Sequence, residues 1–231
     1  MPSMNLVVRP SGSLRGRIGV PGDKSISHRA LLLGAVATGT SRVENFLPAT
    51  DCLATLRAVR ALGVKVEEHT RTTLTIHGRG LYGLQEPDSV LDCDKSGTSM
   101  RLLAGILAGQ RFLSVLTGHA QLCRRPMGRI VEPLRRMGAT VLGREGGNKP
   151  PLAIQGGNLH GIDYTLPVAS AQVKSALLLA GLYADSPTTL RALGPTRDHT
   201  ERMLLARGAK LYMGNNELQI SPGAPLQAAD L

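Results

Sequence analysis

Apolar residues recur at helical spacing in three segments along the chain, and each segment ends at a glycine. In the first segment the apolar positions are Leu53, Leu56, Val59 and Leu62. The closing glycines are Gly63, Gly138 and Gly208. Because glycine readily adopts the left-handed conformation that ends a helix, the pattern predicts three amphipathic helices capped by glycine.

Short runs with strand character flank each of these helices. A run before each helix is predicted as a strand at 41–46, 112–116 and 188–193. Two further strands follow each glycine, the first at 64–66, 139–141 and 209–211, and the second at 74–78, 152–156 and 218–223. The same order of elements is therefore expected three times.

A second kind of helix, rich in Ala and Leu, opens each unit. These helices are predicted at about 25–37, 98–109 and 171–184. They are apolar nearly all round, which indicates burial on every side. The fold class is therefore predicted as α/β, with three βαβαββ repeats at about 16–80, 88–157 and 160–223. Buried helices would be surrounded by outer sheets, as in an inside-out α/β barrel.

Composition then narrows the possible partners. The 231 residues carry a formal net charge of +10, but only four Tyr, two Phe and no Trp. So few aromatic side chains argue against a nucleic-acid partner, because single-stranded binders stack bases on aromatic rings. The positive charge is more consistent with the binding of small anionic substrates. No apolar run reaches the roughly 18 residues of a membrane span. Three cysteines at no metal spacing support neither a disulfide scaffold nor a zinc site, so no metal and no cofactor are expected.

The starts of the three apolar helices are the candidate functional positions. They read Asp23-Lys24-Ser25, Ser96-Gly97-Thr98 and Ser170-Ala171-Gln172. A helix N-terminus presents free backbone N–H groups that can hold phosphate or carboxylate, although capping alone also explains Ser and Asp there. Basic residues lie at or near the same starts: Lys24, Arg29, Arg101, Arg125, Lys174 and Arg197. Helix capping alone does not require cations, so the presence of basic residues beside these helix starts favours anion binding.

Two short motifs suggest other phosphate chemistry. Gly22-Asp23-Lys24-Ser25 resembles the end of a P-loop, but the glycines that a P-loop needs are missing. Asp92-Cys93-Asp94 after Val90-Leu91 resembles the first motif of the haloacid-dehalogenase phosphatases, in which an Asp is the nucleophile and Mg²⁺ assists. The later acidic residues show no adjacent pair for the metal. This Mg²⁺-dependent phosphatase is kept as an alternative.

Five motifs, in order along nearly the whole chain, resemble the 5-enolpyruvylshikimate-3-phosphate synthase family, also called 3-phosphoshikimate 1-carboxyvinyltransferase. They are Pro21–Leu33 (PGDKSISHRALLL), Ser96–Leu103 (SGTSMRLL), Arg125–Met127 with Pro133–Leu134, Ala169–Ala176 (ASAQVKSA) and Arg197–Glu201 (RDHTE). The resemblance implies an enolpyruvyl transferase-like fold. It also implies transfer of the enolpyruvyl group from phosphoenolpyruvate to the 5-hydroxyl of shikimate-3-phosphate, a step of chorismate and aromatic amino-acid biosynthesis.

The resemblance also assigns roles to residues. Lys24 and Arg125 would be catalytic. The shikimate-3-phosphate site would consist of Lys24, Ser25, Arg29, Ser170, Ala171, Gln172 and Arg197. The phosphoenolpyruvate site would consist of Lys24, Gly97, Thr98, Arg125 and Gln172. The herbicide glyphosate occupies this second site in the family, and the small Gly97 is typical of sensitive enzymes.

The chain departs from the family pattern at one point. The family usually has Gly-Asn where this chain has Asp94-Lys95, so the permissive glycine backbone is lost and a cation replaces an amide. Cys123 invites comparison with a loop cysteine of the related enzyme that acts on UDP-N-acetylglucosamine. Its spacing to Arg125-Pro126 differs, and Cys123 is interpreted as having no catalytic role.

The resemblance also predicts a domain organisation. Residues 1–15 would contain a strand that belongs to a second domain, 16–223 the N-terminal domain, and 224–231 the connection to the missing domain. Such a fragment is expected to keep part of the shikimate-3-phosphate site and to have little activity alone. A non-catalytic anion-binding or complementing fragment is the alternative. A bacterial cytoplasmic location is expected, and a plastid is less favoured because no transit segment is visible.

Overall fold

The computed structural model describes residues 6–9, 12, 13, 15–191 and 193–231. The helices are α1 (Lys24–Val36), α2 (Thr50–Ala61), α3 (Gly97–Ala108), α4 (Ala120–Cys123), α5 (Gly128–Arg136), α6 (Ala171–Gly181) and α7 (His199–Leu205). The strands are β1 (Thr38–Val43), β2 (Lys65–Glu68), β3 (Leu74–Arg79), β4 (Leu91–Asp92), β5 (Leu113–Thr117), β6 (Thr140–Arg144), β7 (Lys149–Gln155), β8 (Asp163–Thr165), β9 (Thr188–Arg191), β10 (Lys210–Met213) and β11 (Glu217–Ser221).

The strands form three sheets, one from each predicted repeat. Their orders are β1-β3-β2, β4-β5-β7-β6 and β10-β11-β9-β8. In the second sheet β4 runs parallel to β5, and in the third sheet β8 runs parallel to β9. The other neighbouring strands in these two sheets are antiparallel. Gly63, Gly138 and Gly208 all have positive φ angles after their helices, which confirms the predicted caps.

The helices α1, α3 and α6 lie inside, as their apolar character predicted. Leu31, Leu103 and Leu178 are fully buried on them. The helices α3 and α6 pack closely, since a Cβ on Gly105 would lie 2.2 Å from the carbonyl oxygen of Ala176. The sheets cover the helices from outside, and in the described part of the chain they remain three separate sheets. The inside-out α/β arrangement is confirmed.

The first repeat differs from the predicted pattern. Residues 15–20 contain no strand, and Ile18 is 85% exposed. The C-terminal residues 226–231 lie along β1 instead, in parallel at Thr38 and Gln227. The Thr38 N–H donates to Leu226 at 2.7 Å, and the Ala228 N–H donates back to Thr38 at 2.9 Å. The tail therefore takes the place that β4 and β8 have in the other sheets, because it can bury Leu226 there.

The predicted domain bounds at the two ends of the chain stay predictions. Leu6, Val7 and Val8 are exposed and form no strand. The rest of the predicted N-terminal strand lies partly at positions 1–5, 10, 11 and 14, outside the described residues. No helix in the described ranges is long and apolar enough to cross a membrane.

Candidate functional site

A cavity of about 610 Å³ lies where the N-termini of α1, α3 and α6 meet. Each helix starts at a small polar residue whose side chain accepts a backbone N–H from inside the helix: Asp23 from Ile26, Ser96 from Ser99, and Ser170 from Val173. The predicted site residues that line the cavity are Lys24, Ser25, Arg29, Thr98, Ser170, Ala171, Gln172 and Arg197. The fold thus brings together residues from all three repeats.

Arg29 is the most buried cation of this cavity. It is 3% exposed, and its hydrogen-bond partners among the described residues are all hydroxyl or carbonyl oxygens. Its Nε donates to Thr200 at 2.5 Å, while its two terminal nitrogens donate to Ser25 at 2.6 Å and Ser175 at 2.7 Å. Burial lowers its pKa to about 10. Within the described ranges no carboxylate lies at ion-pair distance from Arg29, so its charge has no direct counter-ion.

Lys24 lies at the rim rather than in the interior. Its ammonium group forms an ion pair with Asp51 at 2.9 Å, and its side chain is 53% exposed. Asp51 belongs to the first turn of α2, so the pair also joins α2 to the start of α1. This geometry holds the Lys24 ammonium beside the cavity.

Gln172 joins the starts of α6 and α3. Its amide nitrogen donates to the Thr98 hydroxyl at 3.0 Å, and its amide oxygen accepts from Arg101 at 2.7 Å. Arg101 also donates to the carbonyl oxygen of Pro126 at 3.1 Å, which positions the turn that carries Arg125. Burial lowers the pKa of Arg101, and the neighbouring Arg125 adds to this effect. The sequence indicated Arg101 only as a nearby cation.

Gly97 and Arg125 lie beside the cavity rather than on its lining. A Cβ on Gly97 would lie 2.7 Å from a terminal nitrogen of Arg101 and 3.3 Å from one of Arg125. Two guanidinium groups therefore flank the glycine at the start of α3. This is a suitable environment for an anion, because the backbone N–H groups of the first helical turn lie beside both cations.

Three polar residues of α7, to which the sequence analysis gave no role, contact α1 and α6 next to the cavity. On α7, the His199 ring shares a hydrogen bond of 3.0 Å with Ser25, and Thr200 shares one of 2.6 Å with Ser175. Glu201 forms a buried ion pair with Lys174 of α6. The signal was present in the sequence, since His199, Thr200 and Glu201 belong to the quoted motif that begins at Arg197.

A buried hydrogen-bond chain fixes α1, α2 and α3 relative to one another. The His28 ring bonds to Thr55 at 2.7 Å, Thr55 to Ser99 at 2.6 Å, and Ser99 to Ser96 at 2.7 Å. Burial lowers the pKa of His28 to about 4, so its ring is neutral at pH 7. No sequence signal distinguished Thr55 from other helix residues.

The turn before α3 explains how the unusual Asp94-Lys95 pair is accommodated. Asp94 adopts a φ of 50°, in the region that glycine enters without strain. Its N–H donates to the Asp92 carboxylate at 2.7 Å, and its carbonyl accepts from His119 at 2.8 Å. Asp92, the nucleophile of the alternative phosphatase hypothesis, thus shapes this turn. Among the described residues no group of three or more His, Cys, Asp or Glu could hold a metal ion.

Cys123 lies half-buried on the same side of the site. Its thiol donates to the carbonyl oxygen of Gly118 at 3.2 Å. Cys93, which precedes the Asp94 turn, is fully buried, and burial raises the pKa of its thiol. The interpretation of Cys123 as having no catalytic role stays a prediction.

The fold and the cavity define a class of protein: an inside-out α/β domain whose buried helices direct their N-termini at a cavity lined in part by basic side chains. Comparison with known proteins makes this specific. Residues 8–231 match the sequence profile described as EPSP synthase (3-phosphoshikimate 1-carboxyvinyltransferase). The chain belongs to this family.

Two relatives carrying that enzyme name show the extent of the match. The protein from Pelobacter propionicus is 53% identical over 98% of this chain and 52% of its own length. The one from Desulforudis audaxviator is 56% identical over 96% of this chain and 52% of its own length. A solved EPSP synthase from Acinetobacter baumannii superposes with a TM-score of 0.91 at 49% identity, over 94% of this chain and 49% of that one. The chain thus spans about half the length of these relatives.

Proposed function

We propose that this chain is the shikimate-3-phosphate-binding half of an enzyme that transfers the enolpyruvyl group of phosphoenolpyruvate to the 5-hydroxyl of that substrate. The buried Arg29 carries this proposal. A guanidinium group held by three hydroxyls and by no carboxylate leaves its charge to be balanced by a ligand. A bound carboxylate would provide that balance in a bidentate arrangement.

Within this proposal the shikimate-3-phosphate site extends from α1 to α6. Arg29 and Ser25 bind the carboxylate of the substrate, and the N-terminus of α6 at Ser170 and Ala171 binds its phosphate together with Arg197. Support comes from the cavity, which is lined by all of these residues. Gln172 lies against the ring of the substrate. The 3-phosphate and the carboxylate are thus bound by different repeats.

The phosphoenolpyruvate site lies at the start of α3 in this proposal. Gly97 and Thr98 supply the helix start, and Arg125 supplies a cation beside it. Lys24 and Gln172 lie between this site and the shikimate-3-phosphate site. The flanking position of Arg125 beside Gly97 supports this arrangement.

The chemistry that these residues would perform is charge stabilisation. The methylene carbon of phosphoenolpyruvate is protonated, and the 5-hydroxyl adds to the resulting cationic carbon and gives up its proton. The tetrahedral adduct then loses phosphate and a proton of its new methyl group, which restores the carbon–carbon double bond. Lys24 and Arg125 stabilise negative charge at the reacting phosphate, an effect that is strong where positioned cations replace water. We assign the proton transfers to a second domain, since the relatives are about twice as long as this chain. Residues 1–15 and 224–231 are proposed to lead to that domain.

Calorimetric titration of this chain with shikimate-3-phosphate tests the binding site. Saturable binding is expected, and heat no greater than dilution at millimolar ligand would reject a preformed site. Turnover is tested separately, with the chain alone and after mixing with a separately produced second domain. Restored activity on mixing supports a split enzyme. Binding without restored turnover supports the alternative, an anion-binding fragment.

We also propose a bacterial cytoplasmic location, since the relatives are bacterial proteins.

A further inference from the structure

Three consecutive residues fasten the start of α7 to its neighbours. His199 bonds to Ser25 of α1, Thr200 bonds to Ser175 of α6, and Glu201 pairs with Lys174 of α6. The helix has only seven residues, and its N-cap residue makes no capping hydrogen bond through its side chain to any described residue. A helix this short is not stable in isolation. Its position therefore depends on these tertiary contacts.

The Lys174–Glu201 pair is almost completely buried. The Lys174 and Glu201 side chains are 5% and 2% exposed. One carboxylate oxygen of Glu201, Oε2, has no hydrogen-bond partner among the described residues. A buried ion pair with an unpaired oxygen is a poor source of stability, since desolvation offsets much of its attraction. The ion pair is therefore better explained by a role other than stabilising the fold.

The pair joins α6, whose first residues line the cavity, to α7, which follows the lining residue Arg197. Lys174 lies one turn into α6, directly behind Ser170, and Glu201 lies one turn behind Arg197 along the chain. Ser170 and Arg197 both line the cavity. We infer that the buried Lys174–Glu201 ion pair positions Arg197 over the N-terminus of α6, and so sets the geometry of the phosphate end of the site. This inference rests on the proposed function.

A purely electrostatic role and a positioning role for Glu201 predict opposite changes in anion binding when Glu201 is replaced. Its carboxylate lies close enough to Arg29 to act on the charge of that side chain. If Glu201 acted only through its charge, its removal would strengthen the binding of an anion. If it positions Arg197, its removal weakens the binding. The direction of the change therefore separates the two roles.

The first experiment titrates the wild-type chain, Glu201→Gln and Glu217→Gln with shikimate-3-phosphate. Glu217 is a matched control, because it is ion-paired with Arg191 in the same repeat but lies on the surface. We expect Glu201→Gln to bind about tenfold more weakly or worse, the effect typical of a misplaced contact. Glu217→Gln should bind like wild type. Equal or tighter binding by Glu201→Gln would overturn the inference.

A second variant keeps the test valid if Glu201→Gln does not fold. Lys174→Met/Glu201→Leu removes both charges, so the net charge of the chain is unchanged and no buried charge is left unpaired. Exchange of a buried ion pair for apolar side chains commonly preserves stability, which thermal denaturation would verify. This double variant should fold and still bind shikimate-3-phosphate about tenfold more weakly. Wild-type affinity in the folded double variant would refute a positioning role.

Limited trypsin digestion gives a readout that does not depend on the ligand. Cleavage after Arg197 reports on the freedom of the segment before α7, and cleavage after Arg71, in the exposed turn between β2 and β3, serves as internal reference. The ratio of the two rates should rise in the double variant, and an unchanged ratio counts against the inference. If wild type itself fails to bind shikimate-3-phosphate, the proposed function is rejected, and this ratio still shows whether the pair holds the segment in place.

Discussion

Replacement of Arg29 by methionine should preserve or raise stability while it strongly weakens ligand binding. The reason is the burial of the guanidinium group without a counter-ion. Its pKa falls from its ordinary value to about 10 in the folded chain. At about 1.4 kcal/mol for each pH unit, the fold disfavours the charged form by about 3 kcal/mol.

The pH range in which this effect acts follows from its sign. Below about pH 10 the side chain is charged in both the folded and the unfolded state, so the full destabilisation is present at neutral pH. The destabilisation fades only as the pH rises above about 10. Methionine has a similar length and no charge, and Ser175 and Thr200 remain bonded to each other without the guanidinium group.

The measurement combines thermal denaturation with calorimetry at pH 7. Arg29→Met should unfold at the wild-type temperature or up to about 10 °C higher, since 1 kcal/mol corresponds to about 2–4 °C at this chain length. Its affinity for shikimate-3-phosphate should fall about 100-fold or more, as is typical when one partner of a buried charge pair is lost. Arg29→Lys is the control, because it keeps a buried charge but not the bidentate geometry, and should bind weakly without added stability. A clear loss of stability in Arg29→Met would mean that Arg29 is a structural brace, and the argument for a ligand carboxylate would fail.

Three further predictions concern the fold. Leu226→Ala should lower the free energy of unfolding by about 2–5 kcal/mol, because Leu226 is 1% exposed in the tail along β1; thermal denaturation measures this. Gly105→Ala should destabilise by about 1–3 kcal/mol, since the new Cβ meets the carbonyl oxygen of Ala176 at 2.2 Å; urea denaturation measures this. His28 gives a pH dependence: its pKa is about 4 when folded and 6.5 when unfolded, so stability is complete above pH 6.5 and falls by up to about 3 kcal/mol towards pH 4. His28→Asn should flatten that part of the stability profile.

Each of these predictions has a matched comparison. Gln227→Ala changes an exposed side chain of the tail and should leave the unfolding temperature unchanged; an equal loss in both tail variants would contradict the docking of Leu226. Gly34→Ala places its Cβ 3.0 Å from the Ile76 side chain rather than 2.2 Å from a backbone oxygen, so it should be milder than Gly105→Ala. For His28→Asn, a pH profile as steep as that of wild type would show that another group causes the slope.

Much of the candidate site could be predicted because it is built from helix starts. Lys24, Ser25, Ser170 and Gln172 each lie beside a local signal, a polar residue followed by an apolar helix, and the structure brings them together around one cavity. Arg29 was also identified from its motif. That it lacks a carboxylate partner could not be predicted, because its partners come from residues as distant as Ser175 and Thr200.

The contacts between elements that are distant along the chain were the part that sequence reasoning missed. Arg101 looked like one cation among several, yet it joins Gln172 to the turn before α5. Glu201 and Lys174 lie 27 residues apart along the chain, and neither has a local pattern that indicates a buried pair. Such pairings depend on how helices and loops pack in three dimensions, which no short-range spacing encodes.

The sequence by itself determined the repeated order of elements, the burial of α1, α3 and α6, and the capping of their starts. These features follow from local physics: apolar periodicity, glycine at helix ends, and small polar residues at helix starts. Tertiary structure alone decided that residues 226–231, rather than 15–20, complete the first sheet beside β1. The backbone N–H and C=O groups at the edge of β1 need hydrogen-bond partners, and the segment that pairs there must also bury a side chain. Leu226 is buried in this position, whereas Ile18 remains exposed.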